Sequence, residues 1–194
     1  MYVRCIKSLN KVNKRYRKRS NKQVTSGNVA CFYYLEKWRY HMRITTYKTE
    51  LNEDNLNVLV KEKSYNCTGV EALHTPLLIA EMFNVVFRLN KQTEEYLYMI
   101  ALDSKQKPLG VFEISHGMVN MTICNPREIF IKALLCGSSG IVITHNHPSG
   151  DTTPSKDDIE SYNRLKEAGK LIGINVLDSV IVGDSYYSFM ENGI

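Results

Sequence analysis

His145-Asn146-His147-Pro148-Ser149-Gly150-Asp151-Thr152-Thr153-Pro154-Ser155-Lys156-Asp157-Asp158 fits the pattern H-x-H-x7-S-x2-D. The residues before it, Gly140-Ile141-Val142-Ile143-Thr144, make a short β-branched run that reads as a buried strand. Side chains two apart on a strand share a face, so His145 and His147 aim at one point. Pro148, Gly150 and Pro154 impose a loop, after which Ser155 to Gly169 has helical spacing and places Asp158 in the first turn. Two histidines and one carboxylate leave the fourth tetrahedral position of a zinc ion open, which distinguishes a catalytic site from a closed structural one. The spacing Ser155-x-x-Asp158 is also a capping box in its own right, so the same two residues have a purely local reading.

Working outward, Thr75-Pro76 is a cap with proline at the first helical position, opening a helix to about Asn90. Tyr96 to Leu102 reads as a strand, and Asp103 to Pro108 as a turn into a second strand that carries Glu113. Met118 to Cys124 is expected to be another strand, and Pro126 to Cys136 a helix that stops before Gly137. Further strands are expected near Val176 to Val182 and Tyr186 to Phe189. Strands interleaved with helices give an α/β fold with a mixed sheet flanked by helices.

On these residues the chain resembles the RadC family, bacterial members of the JAB/MPN (JAMM) metalloprotease superfamily. The resemblance runs through Asn125-Pro126-Arg127-Glu128-Ile129-Phe130, the segment Ile141 to Ile174, Val176-Leu177-Asp178 and Ile181-Val182-Gly183. It covers roughly Thr75 to the C-terminus. Where the family usually reads Leu-Asp-His, this chain has Leu177-Asp178-Ser179. The resemblance implies a JAB/MPN-like (cytidine-deaminase-like) fold and a zinc-dependent hydrolase with His145, His147 and Asp158 on the ion. It implies a glutamate from an earlier strand as acid/base, for which Glu113 in Leu109 to Asn120 is the candidate and Glu128 the rival. Glu128 follows Pro126 in a first helical turn, where the helix macrodipole already accounts for a carboxylate. Ser155, by the same resemblance, hydrogen-bonds the oxyanion of a tetrahedral intermediate. The implied reaction is hydrolysis of a peptide or isopeptide amide, with a protein or peptide as substrate. The competing class is a non-catalytic accessory protein of DNA repair or DNA metabolism with a structural metal site. The helix-hairpin-helix region of longer RadC proteins is not recognisable here.

Composition bounds the rest. With 194 residues and 43% hydrophobic content the chain can bury one sizeable core, and no stretch approaches the 18 or so apolar residues that span a bilayer. Five cysteines without a C-x-x-C pair suggest neither a disulfide framework nor a thiolate zinc site, and with no apolar signal segment they favour the cytoplasm. The net charge of +5 is local in origin: residues 1–22 hold nine Lys or Arg and no acid, leaving 16 basic and 20 acidic residues elsewhere. Lys14-Arg15-Tyr16-Arg17-Lys18-Arg19 suits contact with nucleic-acid phosphates, Tyr16 offering a stacking surface, although such runs also occur as solvated arms. Three regions follow: a basic extension over 1–41 expected to be disordered, a lead-in segment over 42–74 with Met42 as an alternative start, and the hydrolase-like domain over 75–194.

Overall fold

The β-branched and aromatic runs of this chain pair into one seven-stranded mixed sheet in a computed structural model that describes residues 41–68, 73, 75–117 and 125–194. Its strands are β1 (His41–Leu51), β2 (Asn57–Thr68), β3 (Tyr96–Leu102), β4 (Pro108–His116), β5 (Gly140–Asn146), β6 (Asn175–Val182) and β7 (Tyr186–Ser188), in the order β2-β1-β4-β3-β5-β6-β7. The pairs β1–β4 and β5–β6 are parallel and the others antiparallel. The helices are α1 (Pro76–Val86), α2 (Pro126–Leu135) and α3 (Lys156–Ile172). The α/β expectation of a mixed sheet with helices packed on it is met. The strand expected over Met118 to Cys124 and the basic segment 1–40 lie outside the described residues.

Period-two alternation divides the core between the two faces of the sheet. On one face Tyr98, Ile100, Leu102, Val111, Val142 and Val180 pack with Ile79 and Phe83 of α1. On the other Leu97, Met99, Ala101, Phe112, Ile141 and Ile143 pack with Ile129, Phe130 and Ala133 of α2 and Leu165 of α3. Each fully buried Ile, Leu or Phe contributes roughly 1.5–3 kcal/mol by leaving water. Residues 41–68 form the β1–β2 hairpin, whose Met42, Ile44 and Cys67 join the α1-side core.

The helix ends follow the local chemistry of the sequence. Thr75 caps α1 by accepting from Leu78 N, with Pro76 at the first helical position. That helix stops at Val86, and a 3₁₀ turn over Leu89–Lys91 takes up the rest of the expected length, because Arg88 adopts a left-handed φ of 53° that breaks the α ladder. Asn125 caps α2 by accepting from Arg127 N. The longest helix, α3, ends on Gly173 at φ 82°, a left-handed cap that glycine adopts without steric cost. Near the C-terminus the buried Asp178 accepts from Ser188 Oγ at 2.6 Å and Met190 N at 2.9 Å, tying the last turn to β6. Burial pushes the Asp178 carboxyl up, and these hydrogen bonds pull against that.

Candidate metal centre

The connection β5–loop–α3–β6 is a parallel crossover, which sets the loop 147–155 at the carboxyl end of β5, where ligand sites of α/β sheets form. His145 lies on β5, on the face covered by α2 and α3, with Leu97 and Ile181 as its cross-strand neighbours. His147 stands one residue beyond the strand, held in line because its N–H donates to Val182 O at 3.1 Å. Gly150 at φ 83° turns the loop back against the β6–β7 connection, where Asp184 N donates to Gly150 O at 3.1 Å. The loop then delivers Ser155 to the N-terminus of α3.

Both readings of Ser155 and Asp158 hold together. The Ser155 hydroxyl accepts from Asp158 N at 3.1 Å, while Asp158 Oδ2 accepts from Ser155 N and Ser155 Oγ, each at 2.7 Å, completing a capping box. Capping fixes the Asp158 rotamer, and the carboxylate so held turns Oδ1 toward His145 and its capping oxygen Oδ2 toward His147. Oδ1 lies 3.3 Å from His145 Nε2, Oδ2 lies 3.6 Å from His147 Nε2, and the two Nε2 atoms are 3.2 Å apart. Ligands about 2.0–2.1 Å from a tetrahedral zinc ion sit roughly 3.3 Å from one another, and the two Nε2 atoms and one oxygen of Asp158 all lie within 4.8 Å of one another, close enough to converge on one ion. His145 and Asp158 are buried, and His147 is nearly so.

The His147 ring is also presented in the right sense. His147 Nδ1 donates to Asp151 O at 2.6 Å, which leaves the Nε2 lone pair facing the cluster, the usual outer support of a metal-bound imidazole. Burial by itself raises the Asp158 carboxyl, but with the imidazoles protonated and no ion bound, hydrogen bonds from His145, His147 and Ser155 outweigh it and hold the group far below the ordinary carboxylate range. The hydrogen bond to Asp158 pushes the His147 imidazole up, burial opposes this, and the Asp151 carbonyl and the Glu95 charge add to the rise.

Glu113 does not reach this cluster. Across the sheet Tyr98 is the partner of both Glu113 and Thr144, so these three side chains share a face, and His145, next to Thr144, points to the other one. The Glu113 carboxylate is instead engaged by His116 Nδ1 at 2.7 Å and Tyr98 OH at 3.4 Å. A bulge in β4 between the partners of Leu97 and Tyr98 sets this register. The rival Glu128 is exposed in the first turn of α2 and pairs with Arg127 at 2.8 Å.

Glu95, which sequence reasoning passed over, is the carboxylate that shares the electrostatic surroundings of all three residues. Burial raises its pKa, His145 and His147 lower it, and Asp158 raises it. Glu95 immediately precedes β3 and, by alternation with Leu97, is directed to the His145 face. Its signal was present as an acidic pair, Glu94-Glu95, abutting the apolar run Tyr96 to Leu102. What made it informative is the β3–β5 register, which no spacing within the chain discloses.

The loop that carries Asp151 depends on a close backbone approach. A Cβ on Gly183 would meet Gly150 O at 2.4 Å, so Gly183→Ala has to push the 147–155 loop away from β6. Overpacking of this kind costs about 1–3 kcal/mol. The variant is expected to unfold at lower temperature and to bind zinc more weakly, because the carbonyl supporting His147 moves with the loop. Thermal unfolding with and without zinc is the check, and an unchanged zinc affinity would show that the loop yields elsewhere.

The same stretch of the chain is similar to known bacterial proteins. Residues 74–194 match the RadC-like JAB domain. A UPF0758 protein of Geotalea uraniireducens is 41% identical over 127 residues, covering 65% of this chain and 55% of the relative. One from Clostridium tetani is 51% identical over 94 residues, covering 48% and 41%, and one from Staphylococcus haemolyticus is 44% identical over 107 residues, covering 55% and 47%. The chain therefore spans about half the length of the curated relatives it matches. Among the described residues no helix is long and apolar enough to cross a membrane. With the family match extending over more than half its length, the chain belongs to the RadC-like JAB domain family.

Proposed function

We propose that this protein is a zinc-dependent hydrolase of peptide or isopeptide amides, with His145, His147 and Asp158 as the zinc ligands and Glu95 as the acid/base. The observation that carries the reading is the triangle of 3.2, 3.3 and 3.6 Å among the two Nε2 atoms and the Asp158 oxygens. A zinc ion held there would supply a Lewis acid that polarises the scissile carbonyl and brings the pKa of water to roughly 7. The protein's own part is to hold and move protons. Glu95 takes a proton from the attacking water and delivers it to the leaving amine, a role supported by the β3–β5 register that directs it to the His145 face and by the influence of His145, His147 and Asp158 on its charge. The Ser155 hydroxyl, which here donates to Asp158 Oδ2, is the donor offered to the developing oxyanion; loss of such a contact costs about 10²–10³ in turnover. Glu113, on the opposite face, has no part in the reaction.

Metal content and chelator-sensitive cleavage test the proposal together. The purified chain should hold one zinc, and amide hydrolysis should vanish on chelation and return with added zinc. Full hydrolysis by the metal-free protein would overturn it.

A pH dependence follows from the raised His147 pKa. The imidazole must lose its proton to bind metal, and a raised pKa makes that proton harder to displace, so competition begins nearer neutrality than for an ordinary histidine at about 6.5. Zinc affinity is expected to be steady at alkaline pH and to fall as the pH drops, with the fall beginning at higher pH than for an ordinary histidine and approaching about tenfold per pH unit for each proton displaced. Competition against a chromophoric chelator between pH 8 and 5 measures this. A flat profile would count against His147 as a ligand.

A further inference from the structure

Asn146 sits between the two histidines, yet the proposed chemistry makes no use of it. Alternation directs it away from His145, and it is 1% exposed. Its carboxamide makes two hydrogen bonds: Nδ2 donates to Glu94 O at 3.0 Å, and Oδ1 accepts from Tyr96 N at 2.8 Å. Those backbone groups flank Glu95. Residues two apart in an extended segment present their carbonyl and N–H on the same side. The carboxamide therefore bridges two backbone groups on one side of the chain, at the point where the β3–β5 register ends on Leu97 and His145. From the β4 side, Gly117 N donates to Glu95 O at 3.0 Å. The backbone around Glu95 is thus tied on both flanks, and the tie on the β5 side comes from the residue between the two imidazoles.

We infer that Asn146 is a positioning residue: its carboxamide clamps the backbone on either side of Glu95 and so sets that carboxylate at the His145, His147 and Asp158 cluster. This rests on the reading of Glu95 given above. The clamp needs one acceptor and one donor on a short planar fork, which asparagine supplies and aspartate does not. In Asn146→Asp, Tyr96 N keeps its acceptor while a carboxylate oxygen is set against Glu94 O.

Cobalt(II) is a suitable probe, because its visible absorption reports pH-dependent change at the ion without any substrate. The full chain is compared with Asn146→Ala, Asn146→Asp, Glu95→Gln and the double variant Asn146→Ala with Glu95→Gln. Both Asn146 variants should keep one ion per chain while the pH midpoint of the cobalt spectrum moves in the direction seen in Glu95→Gln. The double variant should show no shift beyond Glu95→Gln alone, since the positioned group is already gone. Exchange of the Tyr96 amide should quicken about tenfold or more in Asn146→Ala, which removes its acceptor. A midpoint that stays put in both Asn146 variants while Glu95→Gln moves it overturns the positioning role alone. Additive shifts in the double variant, or loss of the ion from both Asn146 variants, do the same. If Glu95→Gln itself leaves the midpoint unmoved, the assignment of Glu95 falls and the clamp's role falls with it.

Discussion

Glu95→Gln is expected to lower amide hydrolysis by about 10²–10⁴ while one zinc per chain and the melting temperature are retained, because the substitution removes a proton acceptor and leaves the ligand triangle in place. The same substitution at Glu113 is expected to leave turnover within a factor of about two, since its carboxylate is engaged by His116 and Tyr98 on the far side of the sheet. The paired comparison is the measurement: steady-state kinetics on an amide cleaved by the unaltered chain, with zinc determined on the same samples. Loss of activity in Glu113→Gln with Glu95→Gln unimpaired would reverse the assignment. Zinc loss in Glu95→Gln would instead make Glu95 a ligand.

Asp158→Ala carries the second large effect because one carboxylate does two jobs. It is expected to abolish stoichiometric zinc binding, since it removes one corner of the triangle and leaves two imidazoles 3.2 Å apart without the anion between them. It also removes the reciprocal half of the capping box, which costs about 1 kcal/mol of helix stability, so some loss of melting temperature should appear even without metal. Ser155→Ala separates the two roles. It takes away the other half of the cap at a similar cost but leaves the three ligands, so zinc should persist with reduced affinity. Zinc analysis and thermal unfolding of the three proteins, each with and without added metal, test both statements. Full zinc occupancy in Asp158→Ala would remove that residue from the site.

The same double use explains why the metal motif was legible in the sequence. His145 and His147 are two apart at the end of an apolar strand, and Asp158 follows Ser155 by the three residues that a capping box demands. Strand alternation and helix capping are short-range rules, so residues that obey both at once are brought together by the chain's own local geometry. The N-terminal ends of α1 and α2 were legible for the same reason, each marked by a capping side chain followed by proline.

The partner of that motif was not legible, because it depends on which strands lie side by side. Glu113 has suitable chemistry and lies on a strand of the same sheet. Its face, however, is decided by the β3–β4 register, which sets Glu113 against Tyr98 and so away from His145. Glu95 carries no spacing signature relative to His145, fifty residues later. It arrives at the cluster only because β3 pairs antiparallel with β5 in a register that sets Leu97 against His145 and lets Asn146 hold Glu94 and Tyr96. By itself, then, the sequence determined the α/β class, the helix starts and two local pairs, His145 with His147 and Ser155 with Asp158, written in spacings of two and three residues. Only the tertiary structure decided which glutamate faces them, because a sheet register is a non-local choice and a one-residue difference in pairing exchanges the faces of every side chain on the strand.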